Sequence, residues 1–494
     1  MTHSVFGFFP FDAGSVTLPR VSSLKALPVA LFAAVILWSC EAVVSDVGLP
    51  DAGVRPDAGV GIDASVEADA GVADAGDVDA GVDAGMKDAG APLVIFPRTG
   101  ITAAELGVLV NDDDPLSVSI AAYYVAARRI PPANVVHLHV PAGTTLTAVA
   151  FAPLKTQVDA AFLSTPVQAM AITWTTPFAV ENMSITSAFA MGFRAIADTC
   201  TDPNSQGASS NPYLRTPGST RPFSDLGFRP AMVIAATTQQ QAQDLIDRGL
   251  ASDDTWPGGS AYLMSTSDGV RSARCVFNAM YGYTNECQTF LNTWDAAGSG
   301  IDAGIVSADS ISNMTDVLFY VQGLASVPNI TTNTFLPGAI ADHLTSYGGQ
   351  IPVSGQMSAI EFLRGGATGS FGTVVEPCAY TQKFPNPIVL IPRYFGGATL
   401  IEAYWKSVAW PAEGIFLGEP LARPFGQGFR SSYANSTLTI ETTAMAPGRT
   451  YVIEAADSPA GPFTVVVGNL TVTRYTRSRF TVPNATRAVY RFRE

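Results

Sequence analysis

The sequence predicts an α/β protein: a doubly wound, mainly parallel sheet followed by a small all-β sandwich module. Three observations carry this. Between residues 93 and 425, short apolar runs alternate with stretches of helical period, the pattern of parallel strands joined by crossover helices. After Phe425 the apolar period falls to two, as in strands with one buried face. Hydrophobic residues make up 47% of the 494-residue chain and charged residues only 14%, a core-forming composition on a chain too long for one ordinary domain.

The elements follow in order. Residues 107–111 read as a short buried strand, Asp112-Asp113-Asp114-Pro115 as a turn, and 117–129 as a helix with Val118, Ala121, Tyr124 and Val125 on one face. Pro131-Pro132 stops that helix and 135–140 is the next strand, which completes a parallel βαβ unit. A helix over 152–162 and a strand over 169–175 come next. Residues 181–230 are rich in Ser, Asn, Pro and Thr and read as a long insertion or flap. Strands are expected over 231–236, 260–265, 316–321, 370–375 and 414–417. Helices are expected over 238–250, 338–345, 359–364 and 399–407. From about Ser431, alternating runs at 437–442, 450–455, 463–467, 479–482 and 488–492 predict the β module.

Upstream of the folded part the chain changes character. Residues 26–39 form an apolar run of signal-peptide length after Lys25, too short to span a bilayer. The run ends in Leu37-Trp38-Ser39-Cys40, which resembles a lipobox and makes Cys40 the expected lipidation site. Ordinary signal cleavage and a retained anchor are the alternatives. Residues 41–91 repeat Asp-Ala-Gly and hold ten Asp and two Glu against Arg55 and Lys87. Like charges and glycine leave nothing to bury, so a disordered stalk is expected. The predicted organisation is a signal over 1–40, a stalk over 41–91, the α/β domain over 92–430 and the β module over 431–494. The expected location is the cell envelope, held to a membrane by lipid at Cys40 or secreted.

The formal net charge is −14. The stalk carries −10 and residues 1–40 carry +1, so residues 92–494 carry −14 + 10 − 1 = −5. A mildly acidic domain without a basic stripe does not suit nucleic acid. Beyond Cys40 there are four cysteines, Cys200, Cys275, Cys287 and Cys378, an even number that fits disulfides in an oxidising compartment. The closeness of Cys275 and Cys287 would let them close a small loop.

Several motifs together resemble a family of uncharacterised exported bacterial proteins. They are Leu109-Val110-Asn111 with Ser117 and Tyr123-Tyr124, then Arg129-Ile130-Pro131, and then Pro337-Gly338-Ala339-Ile340-Ala341-Asp342-His343-Leu344. Gly366-Ala367-Thr368-Gly369-Ser370-Phe371-Gly372-Thr373-Val374-Val375-Glu376-Pro377 follows, then Glu402-Ala403-Tyr404-Trp405 and Gly418-Glu419-Pro420-Leu421-Ala422-Arg423-Pro424-Phe425. The resemblance covers about 93–425 and implies no particular activity. The strand order is similar to the caspase–gingipain class of α/β proteins, and the last module is similar to fibronectin type III domains.

In caspase-like peptidases a His activates a Cys thiolate at neighbouring strand ends. The resemblance therefore points to Cys378, just past an expected strand end, and to His343, which precedes it. However, the strand 316–321 is followed by Gln322-Gly323 where His-Gly would be expected, and His343 falls in an expected helix. A disulfide from Cys378 to Cys200 or another partner, or a buried thiol, is the other reading. Glu376, a carboxylate before proline at a strand end, is a candidate acid–base group, and Glu419 is a weaker one. If Asp112 and Asp113 converged with Glu376, a hard divalent cation could bind there; otherwise the aspartates are a solvated turn and helix cap.

Three functions follow from these readings. One is a non-catalytic envelope protein that binds a surface polymer or a protein partner. The second is a divergent caspase/gingipain-like cysteine peptidase using His343, Cys378 and Glu376. The third is a cation-dependent hydrolase using Asp112, Asp113 and Glu376.

Overall fold

A computed structural model describes residues 90–206, 211–275 and 285–494. Cys40, the signal and nearly all of the stalk lie outside the described residues. Among the described residues no helix is long and apolar enough to cross a membrane.

The fold is mixed α/β, with one large parallel-rich sheet and smaller sheets beside it. Its ten strands are β1 (Leu106–Asn111), β2 (Val135–Leu138), β3 (Ala169–Ile172), β4 (Ala231–Val233), β5 (Gly259–Met264), β6 (Ile301–Val306), β7 (Val317–Gln322), β8 (Phe335–His343), β9 (Gly369–Thr373) and β10 (Gly414–Gly418). They lie in the order β6-β5-β7-β8-β9-β10-β4-β3-β1-β2. The pairs are parallel apart from β10, which runs antiparallel to β9 and meets β4 at one residue pair, Leu417 with Val233.

The helices that position the polar groups are α1 (Pro115–Arg128), α2 (Ala148–Ala161), α3 (Ile185–Met191), α4 (Gln239–Ser252), α5 (Glu286–Thr293), α6 (Ile360–Arg364), α7 (Pro387–Phe395) and α8 (Leu400–Trp405). They cover both faces of the sheet. Phe319 and Tyr320 are successive residues of β7 and so point to opposite sides. Tyr320 packs edge-on against Phe362 of α6, and Phe319 against Tyr394 of α7. All six residues of β7 are buried; each large apolar side chain taken from water there contributes roughly 1.5–3 kcal/mol.

Local chemistry explains the well-predicted elements. Asp114 caps α1 by accepting from Leu116 N at 2.9 Å, Pro115 sits at the first position, and Arg129 ends the helix with φ 55°. The buried face is Ser117, Ile120, Ala121 and Tyr124, whereas Val118 is 40% exposed.

The helix expected over 338–345 is instead the end of β8. Gly-Ala-Ile-Ala is a short apolar run with no period that separates a buried strand from a buried helix. Tertiary context decides: β8 lies between β7 and β9, and residues 338–343 are buried. The stretch 181–230 holds α3 and two helices of four and five residues, Pro212–Arg215 and Pro222–Leu226. Strand β6 and helix α7, which contains Pro392, had no strong sequence signal.

The C-terminal strands are β11 (Phe429–Ala434), β12 (Thr437–Thr442), β13 (Tyr451–Ala456), β14 (Thr464–Leu470), β15 (Ser478–Val482) and β16 (Val489–Arg493). One sheet is β11-β12-β15. The other is Leu93–Ile95 with β16, β13 and β14. Both contribute to one apolar cluster that includes Leu438, Ile440, Ile453, Tyr490 and Phe492. The strand Leu93–Ile95 pairs in parallel with β16, so the segment entering the α/β region is stitched to the end of the chain.

Candidate functional site

Three of the residues singled out from sequence, His343, Glu376 and Cys378, lie at or beyond the ends of β8 and β9. Chain leaving β9 turns sharply: Cys378 and Ala379 both have positive φ, 58° and 57°, an uncommon backbone for residues with a Cβ. Glu376 Oε1 accepts from Cys378 N at 2.8 Å and so braces its own turn. Cys378 is bonded to Cys200, with a Cα separation of 5.5 Å. Its sulfur is therefore not a thiolate, and the nucleophile suggested by the caspase resemblance is absent from this arrangement.

The disulfide pins the segment after α3 to the sheet, and a buried lysine completes the joint. Lys383 Nζ donates to Thr199 O at 2.6 Å, to Ser205 Oγ at 2.6 Å and to Glu413 Oε1 at 2.9 Å. Both charged side chains of the Lys383–Glu413 pair are fully buried. Burial pushes Lys383 down and Glu413 up, and their mutual attraction opposes both shifts. The ammonium has three partners, and both bonds to Glu413 fall on Oε1, so the pair fixes the geometry of this joint.

His343 ends β8. Its Nδ1 lies 2.9 Å from Leu324 O, and its ring packs edge-on against Phe362, with centroids 5.4 Å apart. Gly348 closes over the other side; a Cβ there would stand 2.9 Å from Nε2. Burial drives the imidazole pKa down to about 4, so at neutral pH the ring is uncharged and dry. Among the described residues no hydrogen bond joins His343 to Cys378 or Glu376.

Asp342, the preceding residue, faces the opposite side of the sheet. It is 1% exposed and takes Arg274 Nη1 at 2.6 Å; the same guanidinium donates through Nη2 to Gln322 O at 2.6 Å. Arg274 sits beside the second disulfide, Cys275–Cys287. Glu286 of α5, on the same disulfide, accepts from Asn386 Nδ2 at 3.1 Å. Burial raises its carboxyl to about 7, with Arg274 opposing. Tyr404 is hydrogen-bonded to Asp342, while among the described residues Glu286 Oε2, Arg274 Nε and the Tyr394 hydroxyl are buried without a partner. Neither Arg274 nor Glu286 was singled out from sequence. The adjoining cysteines were the available signal, because a disulfide fixes both neighbours at one place.

The proposed cation ligands are elsewhere. Asp112 Oδ1 lies 2.6 Å from His137 Nδ1, and Asp113 Oδ1 lies 2.9 Å from His139 Nδ1, on the exposed side of β1 and β2. Hydrogen bonding and charge from Asp113 raise the His139 pKa. Three strands, β3, β4 and β10, separate β1 from β9. At the usual strand spacing that is about 19 Å, so Glu376 does not share a cation with these aspartates. Among the described residues no group of three or more His, Cys, Asp or Glu is placed to hold a metal ion. Asn111 is structural: its N–H donates to Ser117 Oγ at 2.9 Å, and Ser117 Oγ meets Thr173 Oγ1 at 2.8 Å. Glu419 is buried and accepts from the Tyr124 hydroxyl at 2.7 Å and Arg128 Nε at 3.0 Å. It ties β10 to α1.

No protein-family model matches the chain. No curated protein matches it. One solved structure, described as "Structure of Protease", superposes with a TM-score of 0.32 at 12% identity, covering 78% of this chain and 98% of the other. A superposition that loose assigns neither fold nor chemistry to this chain.

Proposed function

We propose that the protein is exported, that it is anchored by lipid at Cys40, and that its α/β domain serves as a binding or structural element of the cell envelope. In this reading the domain over 92–430 has a caspase–gingipain type of architecture without its nucleophile. Residues 431–494 form a fibronectin-like sandwich beside it, and the stalk over 41–91 holds both clear of the membrane. The partner is a surface polymer or another envelope protein.

The observation that carries this reading is the Cys200–Cys378 bond. A cysteine peptidase needs a free, accessible thiolate with a base in reach. Here the sulfur is in a disulfide and the histidine is sealed under Gly348 and Phe362. Pairing of all four cysteines beyond Cys40 also suits an oxidising compartment. The cysteine-peptidase reading would require reduction of that bond, and the cation-dependent hydrolase would require Asp112, Asp113 and Glu376 to meet.

The test is alkylation of the mature protein, isolated from the envelope, with iodoacetamide in the absence of reductant, followed by peptide mapping. Cys200, Cys275, Cys287 and Cys378 are expected to stay unlabelled until the protein is unfolded and reduced. Labelling of Cys378 in the native protein, faster than in an unfolded control, would install the peptidase reading instead. For the anchor, Cys40→Ala is expected to move the protein from the membrane pellet to the soluble fraction; an unchanged pellet would exclude lipidation there.

A further inference from the structure

A second polar region, away from the disulfides, is open where the first is closed. It is a pocket of about 140 Å³ between the C-terminal part of α7, α8 and the loop after β12, far larger than the roughly 10–15 Å³ that one water needs. Its wall includes Arg98, Arg393 and Lys406 and no carboxylate.

Lys406 is the informative residue. Its side chain is 3% exposed, yet its ammonium makes no hydrogen bond among the described residues. The nearest carboxylate oxygen is Glu402 Oε1 at 3.9 Å, and the Tyr213 ring centroid is 4.6 Å away. Glu402 is already engaged: Oε2 accepts from Ile101 N at 3.0 Å and Thr399 Oγ1 at 2.6 Å, and Oε1 accepts from the Tyr213 hydroxyl at 2.7 Å. Burying an ammonium without hydrogen-bonded partners is costly, and here two further cations, Arg393 and Arg423, add repulsion. Arg393 itself is half-buried, and its guanidinium makes no hydrogen bond or ion pair among the described residues. Thr443, also in the wall, has a buried hydroxyl without a partner among the described residues.

We propose that this pocket binds a phosphate-type oxyanion, held by the Lys406 ammonium and the Arg393 guanidinium, with the Thr443 hydroxyl as a neutral donor. Such a group supplies the hydrogen-bonded anionic acceptor that the Lys406 ammonium and the Arg393 guanidinium lack among the described residues, and its several acceptor oxygens can take donors from separate walls. Arg98 adds positive charge to the rim, although its own head group is engaged with Glu105 and Thr220 O. The pocket chemistry is independent of where the protein resides and of whether the Cys378 corner is catalytic.

The test uses the mature protein and inorganic phosphate, with ionic strength held constant by sodium chloride and the melting temperature as readout. A saturable rise with phosphate is expected, since a ligand that binds only the folded state stabilises it. Lys406→Met and Arg393→Gln are each expected to raise the half-saturating phosphate concentration about tenfold or more. The Arg393 guanidinium has no partner among the described residues, so Arg393→Gln folds even if Lys406→Met does not. No saturable rise beyond the chloride control would overturn the proposal, and so would a rise unchanged in Arg393→Gln.

Discussion

Lys383 and Lys406 are both buried lysines within the same α/β region, and they differ in almost everything else. Lys383 donates to Thr199 O, Ser205 Oγ and Glu413 Oε1 and closes a joint already sealed by a disulfide. The Lys406 ammonium makes no hydrogen bond among the described residues and lines an open pocket. Burial depresses both ammonium groups, Lys406 to about 8. Burial and a shifted pKa therefore do not distinguish a structural charge from a binding one; the partners do. The Cys378 corner has spent its polar groups on architecture, whereas the pocket by α7 and α8 has kept them.

Lys383 is the more costly of the two lysines to remove. Lys383→Met leaves Glu413 buried without its cation and is expected to destabilise the protein by about 3–5 kcal/mol. Lys406→Met is expected to stay within about 1 kcal/mol of the parent, since no hydrogen bond is lost. Urea unfolding of the two variants side by side checks both, and equal losses would remove the distinction. Next in size, replacing both Cys200 and Cys378 by Ser is expected to cost roughly 2–5 kcal/mol, mainly by freeing the unfolded chain. Retention of full stability would mean that the bond contributes nothing to the joint.

His343 gives a pH signature of the sealed corner. Its folded pKa, about 4, lies below the ordinary 6.5. The unfolded chain therefore takes up the proton first as pH falls, and stability present above pH 6.5 is lost progressively down to pH 4. That loss is about 3 kcal/mol. His343→Gln is expected to flatten this part of the stability profile, and a variant that kept the parent's slope would show that His343 is solvated. Glu286 acts in the opposite direction and more weakly, because it is partly exposed. Its carboxyl, at about 7 in the folded protein against an ordinary 4.5, prefers its proton, so stability falls as pH rises from 4.5 to 7. Glu286→Gln should remove that decline; an unchanged profile would place Glu286 in water.

The fold was legible in the sequence wherever local chemistry and tertiary context agree. Asp114 before Pro115 marks the start of α1, and Val317–Val321 is apolar enough to be a buried strand in any context. It was not legible where the two diverge. Residues 338–343 are small and apolar without a diagnostic period, and only their place between β7 and β9 makes them extended. Pro392 hides α7 because proline usually ends helices. The candidate site was harder still. Arg274 and Asp342 are 68 residues apart, and nothing in either local sequence announces the other. Arg393 lies in α7 and Lys406 just past the end of α8, and neither carries a motif. Cys378 and His343 drew notice because their residue types carry chemistry, but only the packing shows one to be bonded and the other dry.

Cys378 is committed to a disulfide and not to catalysis. Proteolysis of the native protein under non-reducing conditions, with mass spectrometry of the linked peptides, tests it most directly. Two cross-linked species are expected, Cys200 with Cys378 and Cys275 with Cys287. Recovery of Cys378 as a free thiol would contradict this and return His343, Glu376 and Cys378 to consideration as a catalytic set.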